Sequence, residues 1–315
     1  MASPPAGLHP LPRPDPIPNH LSVLTAHLLC VGLVFTDLIA RAFRIQFFLR
    51  GLGHRITFGE AFTLNAFGDA ACALTPLRIG GEPARLGGML RARVPATAAF
   101  VAISIEILAA WPVVIISAAL LAWAYAPQWW AAVGPHLERF AHHAWPWLVV
   151  VTLLSVLAWL AARRRAKSAV RNFRRPIRRV MVYWRRMPRW PVLASLPLTF
   201  INVVARTALL PVLALTVSDP PAIGPTAVGS FALLYSQLIL PTPSGAGAVD
   251  LGFMAGAAGD LGDGSGLLLL AWRFYSVGAG ALLGFWLAGR IYGWKALKNR
   301  MSRRTSEPTA GTGLR

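Results

Sequence analysis

The chain has 315 residues, of which 55% are hydrophobic and only 14% charged, with a mean hydropathy of +0.53. Soluble domains carry about 25% charged residues, so the composition excludes a soluble enzyme or binding module and describes an integral membrane protein. Lys and Arg number 31 against 12 acids, for a net charge of +19, but they cluster at the ends of apolar segments. That is the pattern of inner loops facing an anionic leaflet, and it argues against a nucleic-acid partner.

Residues 1–20 hold seven prolines and read as an extended, disordered tail. They lack the basic and apolar regions of a signal peptide. A helix needs roughly 20 apolar residues to span a bilayer, and Leu21 to Phe43 supplies the first such segment, with Asp37 and Arg41 near its end. A basic stretch (Arg44, Arg50, His54, Arg55) follows.

The segment 58–75 is apolar or small apart from Glu60, Asn65 and Asp69, and it breaks at Pro76–Arg85, PLRIGGEPAR. Two prolines, two adjacent glycines, an acid and two arginines then lie between hydrophobic segments. Irregular backbone at membrane depth survives only when packed in protein or lining a wet cavity, and ionisable groups there point to function. Thr97–Ala124 is a long span holding Glu106, and Tyr125–Ala144 is a link flanked by Trp129, Trp130, Trp145 and Trp147.

Residues 146–162 span again, and from Arg163 to Arg189 there are twelve Lys/Arg and no acid. Within 163–190, Val170, Phe173, Ile177, Val180, Met181 and Trp184 recur at helical spacing, as in an amphipathic helix on the cytoplasmic leaflet. Val192–Val217 carries Asn202 and Arg206 inside it. The next segment, 225–240, breaks at PTPSGAGAVD (Pro241–Asp250). Leu267–Gly289 is the last span, with Arg273 inside, and residues 295–315 form a basic, disordered tail.

The positive-inside rule places 44–57, 85–95, 163–190 and the C-terminus in the cytoplasm, and 125–144, 218–224 and 259–266 outside. Neither return arm, 82–93 or 248–258, is long or apolar enough to span. Both broken segments therefore read as re-entrant hairpins entering from opposite faces. An offset of 165 residues pairs Asp37 with Asn202, Arg41 with Arg206, Gly59 with Gly224, Pro76 with Pro241 and Gly80 with Gly245. The expected fold is all-α and polytopic, with about six spanning helices or fewer plus the two hairpins in an inverted repeat. Inverted repeats with broken segments near the midplane belong to alternating-access transporters.

The stretches LRGLGHRITFGEAF, TPLRIGGEPARLGGML, LPTPSGAGAVDLGF and AWRFYSVGAGALLG resemble the lysylphosphatidylglycerol synthase transmembrane-region family, also called flippase-like or UPF0104. The resemblance covers 21–294. It implies a bacterial-type inner-membrane protein that moves lipids or lipid-linked headgroups, without the aminoacyltransferase domain that follows in aminoacyl-phosphatidylglycerol synthases. Relatives often carry a further hydrophobic helix before the segment matching 21–43, where a Pro-rich tail stands here. The second break reads PSGAG with Asp250 where PGGxG and Glu are more usual.

A buried arginine with no acid in reach suits a phosphate, which guanidinium binds bidentately. The candidate substrate-binding residues are Arg41, Arg78, Gly80, Gly81, Glu82, Arg85, Arg206, Pro241, Gly245, Gly247, Asp250 and Arg273. Asp37 and Glu106 are candidates for coupling or counter-charge, with Asp37 four residues before Arg41 in the favourable order for an intrahelical pair. His136, His142 and His143 beside Glu138 read as a titratable surface patch, and no metal, cofactor or catalytic constellation is expected. The expected partner is an anionic-headgroup or polyprenyl-phosphate lipid, with room for a separate transferase and for a homo-oligomer. The competing readings are a membrane-embedded enzyme acting on a lipid phosphate and a non-transporting scaffold for a transferase.

Overall fold

The computed structural model describes residues 21–131, 187–240, 242–257, 261 and 264–293, with a few isolated positions between 133 and 182. Both tails, the span expected at 146–162 (save Val149 and Leu153) and the amphipathic stretch at 170–184 (save Val182) lie outside these residues. What is described is helical, and four helices are long and apolar enough to cross a membrane.

Helix α1 (Val23–Gly51) starts where the Ser22 side chain accepts a hydrogen bond from the Thr25 N–H at 3.1 Å, satisfying an orphan donor of the first turn. It runs two turns past the expected end at Phe43, because Arg44 and Gln46 are buried inside the molecule. Helix α2 (Phe58–Leu74) opens on a reciprocal capping box between Thr57 and Glu60. It stops because Pro76 has no N–H and holds Thr75 in extended backbone, φ −110°, ψ 140°.

The chain then reverses through Leu77 and Arg78, both left-handed at φ 52° and 55°, and returns as α3 (Gly81–Arg91). Thr75 Oγ1 pins this reversal by accepting from the Gly80 N–H at 2.9 Å. The double glycine is required because a side chain at Gly81 would collide with the Cys72 sulfur. Helix α4 (Ala96–Ala131) is 36 residues long and extends well past Ala124 into the expected link.

The second half repeats the plan. Helix α5 (Trp190–Ala214) spans, and α6 (Ile223–Ser236) ends in a break with Ser244 at φ 49° and Gly245 at φ 69°. The short α7 (Ala248–Gly252) returns, opened by Asp250 accepting from the Gly247 N–H at 2.9 Å. Last is α8 (Ser265–Ile291), with widened turns at Phe274–Gly278 and, at its end, Gly289–Gly293. The starts of α1 to α4 at 23, 58, 81 and 96 are followed by those of α5 to α8 at 190, 223, 248 and 265, offsets of 167, 165, 167 and 169. Four helices of each half thus match in order and spacing.

The halves interlock. Helix α1 packs along its counterpart α5, and α2 packs against the far half of α8. There Gly284 lets the two backbones approach so closely that any side chain would strike the Ala66 carbonyl. Lipid tails are as apolar as leucine, so such helix contacts in a bilayer draw on close packing by small residues. Two apolar clusters form, one mainly in the first half around Phe48, Met89 and Ile105, the other mainly in the second around Leu210, Phe253 and Trp272, joined by Cys30 and Val133 of the first.

The tips of the two hairpins meet. Pro76 and Pro243 form a single antiparallel backbone pairing, and the Ser244 hydroxyl donates to the Cys72 carbonyl at 3.4 Å. Under the 165-residue offset a pairing of 76 with 243 maps onto one of 78 with 241. The crossing is therefore symmetric about Leu77 and Thr242, themselves 165 apart.

Candidate functional site

Beside the crossed tips lies a cavity of about 440 Å³. Its wall carries five arginines (41, 44, 78, 85 and 206) and the acids Asp69, Glu82 and Glu106. These charges form three groups.

The first is centred on Arg41, which pairs bidentately with Asp69 at 2.8 and 2.7 Å and reaches Asp37 at 2.8 Å. Asn202 donates to the other oxygen of Asp37, tying α5 to α1. The second is centred on Glu106, only 1% exposed. Arg44 donates to one of its oxygens at 3.1 and 2.7 Å, and Arg85 to the other. Arg85 also pairs with Glu82 at 3.2 Å. One buried carboxylate thus locks α1, α3 and α4 together.

The third group is different. Arg78 donates to the Gln237 side-chain oxygen at 2.9 Å, and Arg206 to the Ser276 carbonyl at 2.9 Å. Among the described residues neither has a carboxylate within ion-pair distance. The first group is short of one positive charge, the second is balanced, and the third brings to the cavity wall two guanidiniums without an ion-pair partner, on both of which Asp69 of the first group acts through space. Both side chains are part-buried, and each donates only to a neutral oxygen. Another part of the wall (Ile107, Ala110, Trp111, Val114, Leu234, Leu238) is apolar, and Asn65, Thr199, Asn202 and Tyr235 add neutral polar groups.

Of the residues singled out from the sequence, Arg41, Arg78, Gly81, Glu82, Arg85, Arg206 and Glu106 line this cavity. Gly80, Gly245 and Gly247 shape the breaks without lining it, and Pro241 lies outside the described residues. Asp250 and Arg273, expected among the phosphate ligands and their restraints, pair with each other at 2.5 Å away from the cavity. Arg273 also donates to the carbonyls of Ser244 and Gly245 at 2.8 and 3.3 Å, so it braces the second break. Residues 85 and 250 stand one offset apart, so each return arm is pinned to the helix after it by an ion pair with the signs exchanged.

Three members escaped the sequence reading as site residues. Arg44 looked like the start of the inner basic loop, although it lies three residues after Arg41 and seven after Asp37, on one helical face. Asp69 was noted only as an exception in an apolar run, and a charge there is itself a signal. Gln237 carried no signal, being an uncharged residue at a helix end. His142 and Glu138 are on described positions of the 125–144 stretch, and His136 and His143 are outside them.

A family model described as the lysylphosphatidylglycerol synthase TM region matches residues 18–284. No curated protein and no solved structure matches the chain.

Proposed function

Since this chain belongs to the lysylphosphatidylglycerol synthase TM region family, a membrane family of lipid metabolism or transport, we propose that it binds the phosphate of an anionic lipid or lipid-linked intermediate and helps that headgroup cross the membrane. The observation that carries this reading is the pair Arg78 and Arg206, bonded to neutral oxygens and not ion-paired to an acid among the described residues, at the wall of a cavity of about 440 Å³. A phosphate oxygen pair matches the guanidinium fork, and a charge-assisted hydrogen bond of this kind contributes about 1.5–3 kcal/mol. The apolar side of the wall suits the first carbons of an acyl or prenyl chain, whose remainder stays in lipid.

In this reading the membrane is the bacterial-type inner membrane, the C-terminus is cytoplasmic, and the two hairpins are re-entrant. The chain acts as a carrier and not as a catalyst: the acids near the arginines are held in ion pairs, Arg41 with Asp37 and Asp69, Arg44 and Arg85 with Glu106. The test is to purify the protein in mild detergent and identify the retained lipid by mass spectrometry. A phosphate-bearing lipid that is lost in Arg78→Ala and Arg206→Ala supports the reading, as does its translocation in proteoliposomes. Conversion of that lipid to a new product by the purified protein would overturn it in favour of an enzyme.

A further inference from the structure

Where the end of α1 meets the start of α5, a hollow of about 460 Å³ is lined by Arg50, Arg55 and Trp190. Trp190 is held there by its neighbour Pro191, which packs so closely on Gly51 that any side chain at 51 would strike the proline ring. Both arginines are exposed. Among the described residues neither has a carboxylate within ion-pair distance. The stretch 163–189 that leads into Trp190 holds no acid either.

From Trp190 a line of aromatic rings runs along the outside of the bundle. Trp190 meets Phe47 edge-on with 5.8 Å between centroids, Phe47 lies 6.3 Å from Phe43, and Phe43 lies 5.2 Å from Phe58. Trp190, Phe43 and Phe58 are 46%, 39% and 40% exposed, an apolar strip that ends at two cations. The repeat does not require it. Under the offset of 165, Leu215 and Pro220 stand for Arg50 and Arg55, and Thr25, Val212, Ala208 and Ile223 stand for Trp190, Phe47, Phe43 and Phe58. That second junction is closed by a backbone hydrogen bond from the Leu21 N–H to the Leu215 carbonyl at 3.1 Å. The same helix contact is therefore built once without charge or rings, and packing alone does not account for them in the other copy.

We propose that this junction is a resident site for an anionic phospholipid of the surrounding membrane, in the leaflet on the side of Arg55 and separate from the cavity of about 440 Å³. Two guanidiniums with no acid between them repel each other, and a phosphate that accepts from both offsets this with charge-assisted hydrogen bonds. The indole of Trp190 sits at headgroup depth, where such rings are favoured, and one acyl chain follows Phe47, Phe43 and Phe58. A headgroup with its own ammonium would add a third cation, so the site selects lipids of net negative charge. The lipid bridges the ends of α1 and α5, one helix from each half, and so clamps their pairing. This holds whichever lipid occupies the cavity beside the hairpin tips.

The test is native mass spectrometry of the full chain in detergent, titrated with long-chain phosphatidylglycerol, alongside melting curves. Protein carrying Arg78→Ala and Arg206→Ala should still hold such a lipid, which reads this site apart from the other cavity. Adding Arg50→Gln and Arg55→Gln should weaken that lipid about 25-fold, at about fivefold for each arginine near an anionic lipid. The rise in melting temperature that the lipid gives should vanish with it. Trp190→Ala should weaken the long-chain lipid but not a short-chain soluble analogue, and Arg93→Gln, an exposed arginine elsewhere, should leave the affinity unchanged. The proposal is overturned if the two glutamines leave the affinity as it was, or if phosphatidylcholine with the same chains binds equally well. An equal loss in Arg93→Gln also overturns it, as diffuse attraction to basic loops, and so does loss of all anionic lipid in the Arg78→Ala, Arg206→Ala protein. Failure of the function proposed above would appear separately, as lipid binding that the Arg78→Ala, Arg206→Ala protein shares in full with the wild type.

Discussion

Asp37 and Asn202, separated by 165 residues, are hydrogen-bonded to each other at the centre of the molecule. They are also each other's counterparts in the repeat, so the contact marks the local two-fold axis on which α1 and α5 pack. Near such an axis a residue meets its own counterpart, and chemical difference between the two copies becomes an interaction. Here one copy is a carboxylate and the other an amide. The carboxylate satisfies Arg41 on its own helix, while Arg206, the counterpart of Arg41, is left without an acid.

Exchanging the two side chains tests this directly. Asn202→Asp alone sets two buried carboxylates against each other and should lower stability by about 3 kcal/mol, in the range for an uncompensated buried charge. The double variant Asp37→Asn, Asn202→Asp restores one acid and one amide, and places the acid four residues before Arg206. Thermal unfolding in detergent should show most of the loss regained. Lipid retention should stay low in the double variant, because Arg206 now has a carboxylate.

Removal of single arginines should separate binding from folding. Arg78→Ala and Arg206→Ala each delete a guanidinium that holds only neutral oxygens, so the protein should insert and fold while lipid affinity falls by roughly ten- to hundredfold. Arg41→Ala instead strands Asp37 and Asp69 and should cost about 3–5 kcal/mol. Arg171→Ala in the basic linker should leave both readouts unchanged. Titration of lipid against each variant, alongside its melting curve, sorts the three outcomes, and normal lipid binding by Arg206→Ala would refute the phosphate role.

The breaks and the repeat were legible in the sequence because proline, glycines and isolated charges punctuate apolar runs at an offset near 165 residues. The ends of the helices were less so. Arg44 and Gln46 look like loop residues until the carboxylate of Glu106 and the carbonyl of Ile56 are seen to receive them. Which acid takes which arginine was not legible at all, since Arg44 and Glu106 are 62 positions apart and meet only through helix packing. Asp250 illustrates the same limit: its charge suggested a site, and its geometry makes it the partner of Arg273.

That pairing leads to a prediction about the second hairpin. Asp250 is half-buried, so its ion pair with Arg273 is partly screened and contributes little by itself. The bonds from Arg273 to the carbonyls of Ser244 and Gly245 hold the break in its left-handed path. Arg273→Lys lacks the fork to reach all three acceptors and should behave almost as Arg273→Ala does. Hydrogen exchange at 244–252 should rise several-fold in both, with exchange at Thr75–Gly81 little changed. Equal exchange in wild type and Arg273→Ala would remove the bracing role.

The last prediction concerns orientation in the membrane. Val133 would be the obvious outer probe from sequence, yet it is buried in the second apolar cluster and would not report on sidedness. Gln128 and Asp219 are exposed at the ends of α4 and beyond α5, and Arg55 and Arg93 are exposed between α1 and α2 and between α3 and α4. With α1 and α4 each crossing once and the α2–α3 hairpin returning to the face it entered, the two pairs of probes are expected on opposite sides whichever way the protein inserts. The excess of Lys and Arg around Arg55 and Arg93 predicts that this pair lies inside, since translocating such segments opposes the membrane's charge asymmetry. In intact cells, cysteines at positions 128 and 219 should therefore react with an impermeant maleimide, and those at 55 and 93 only after permeabilisation. Reaction at 55 and 93 in intact cells would invert the orientation while preserving the fold. Reaction of 55 and 93 from different sides would break the assignment of α2 and α3 as a hairpin that returns to the face it entered.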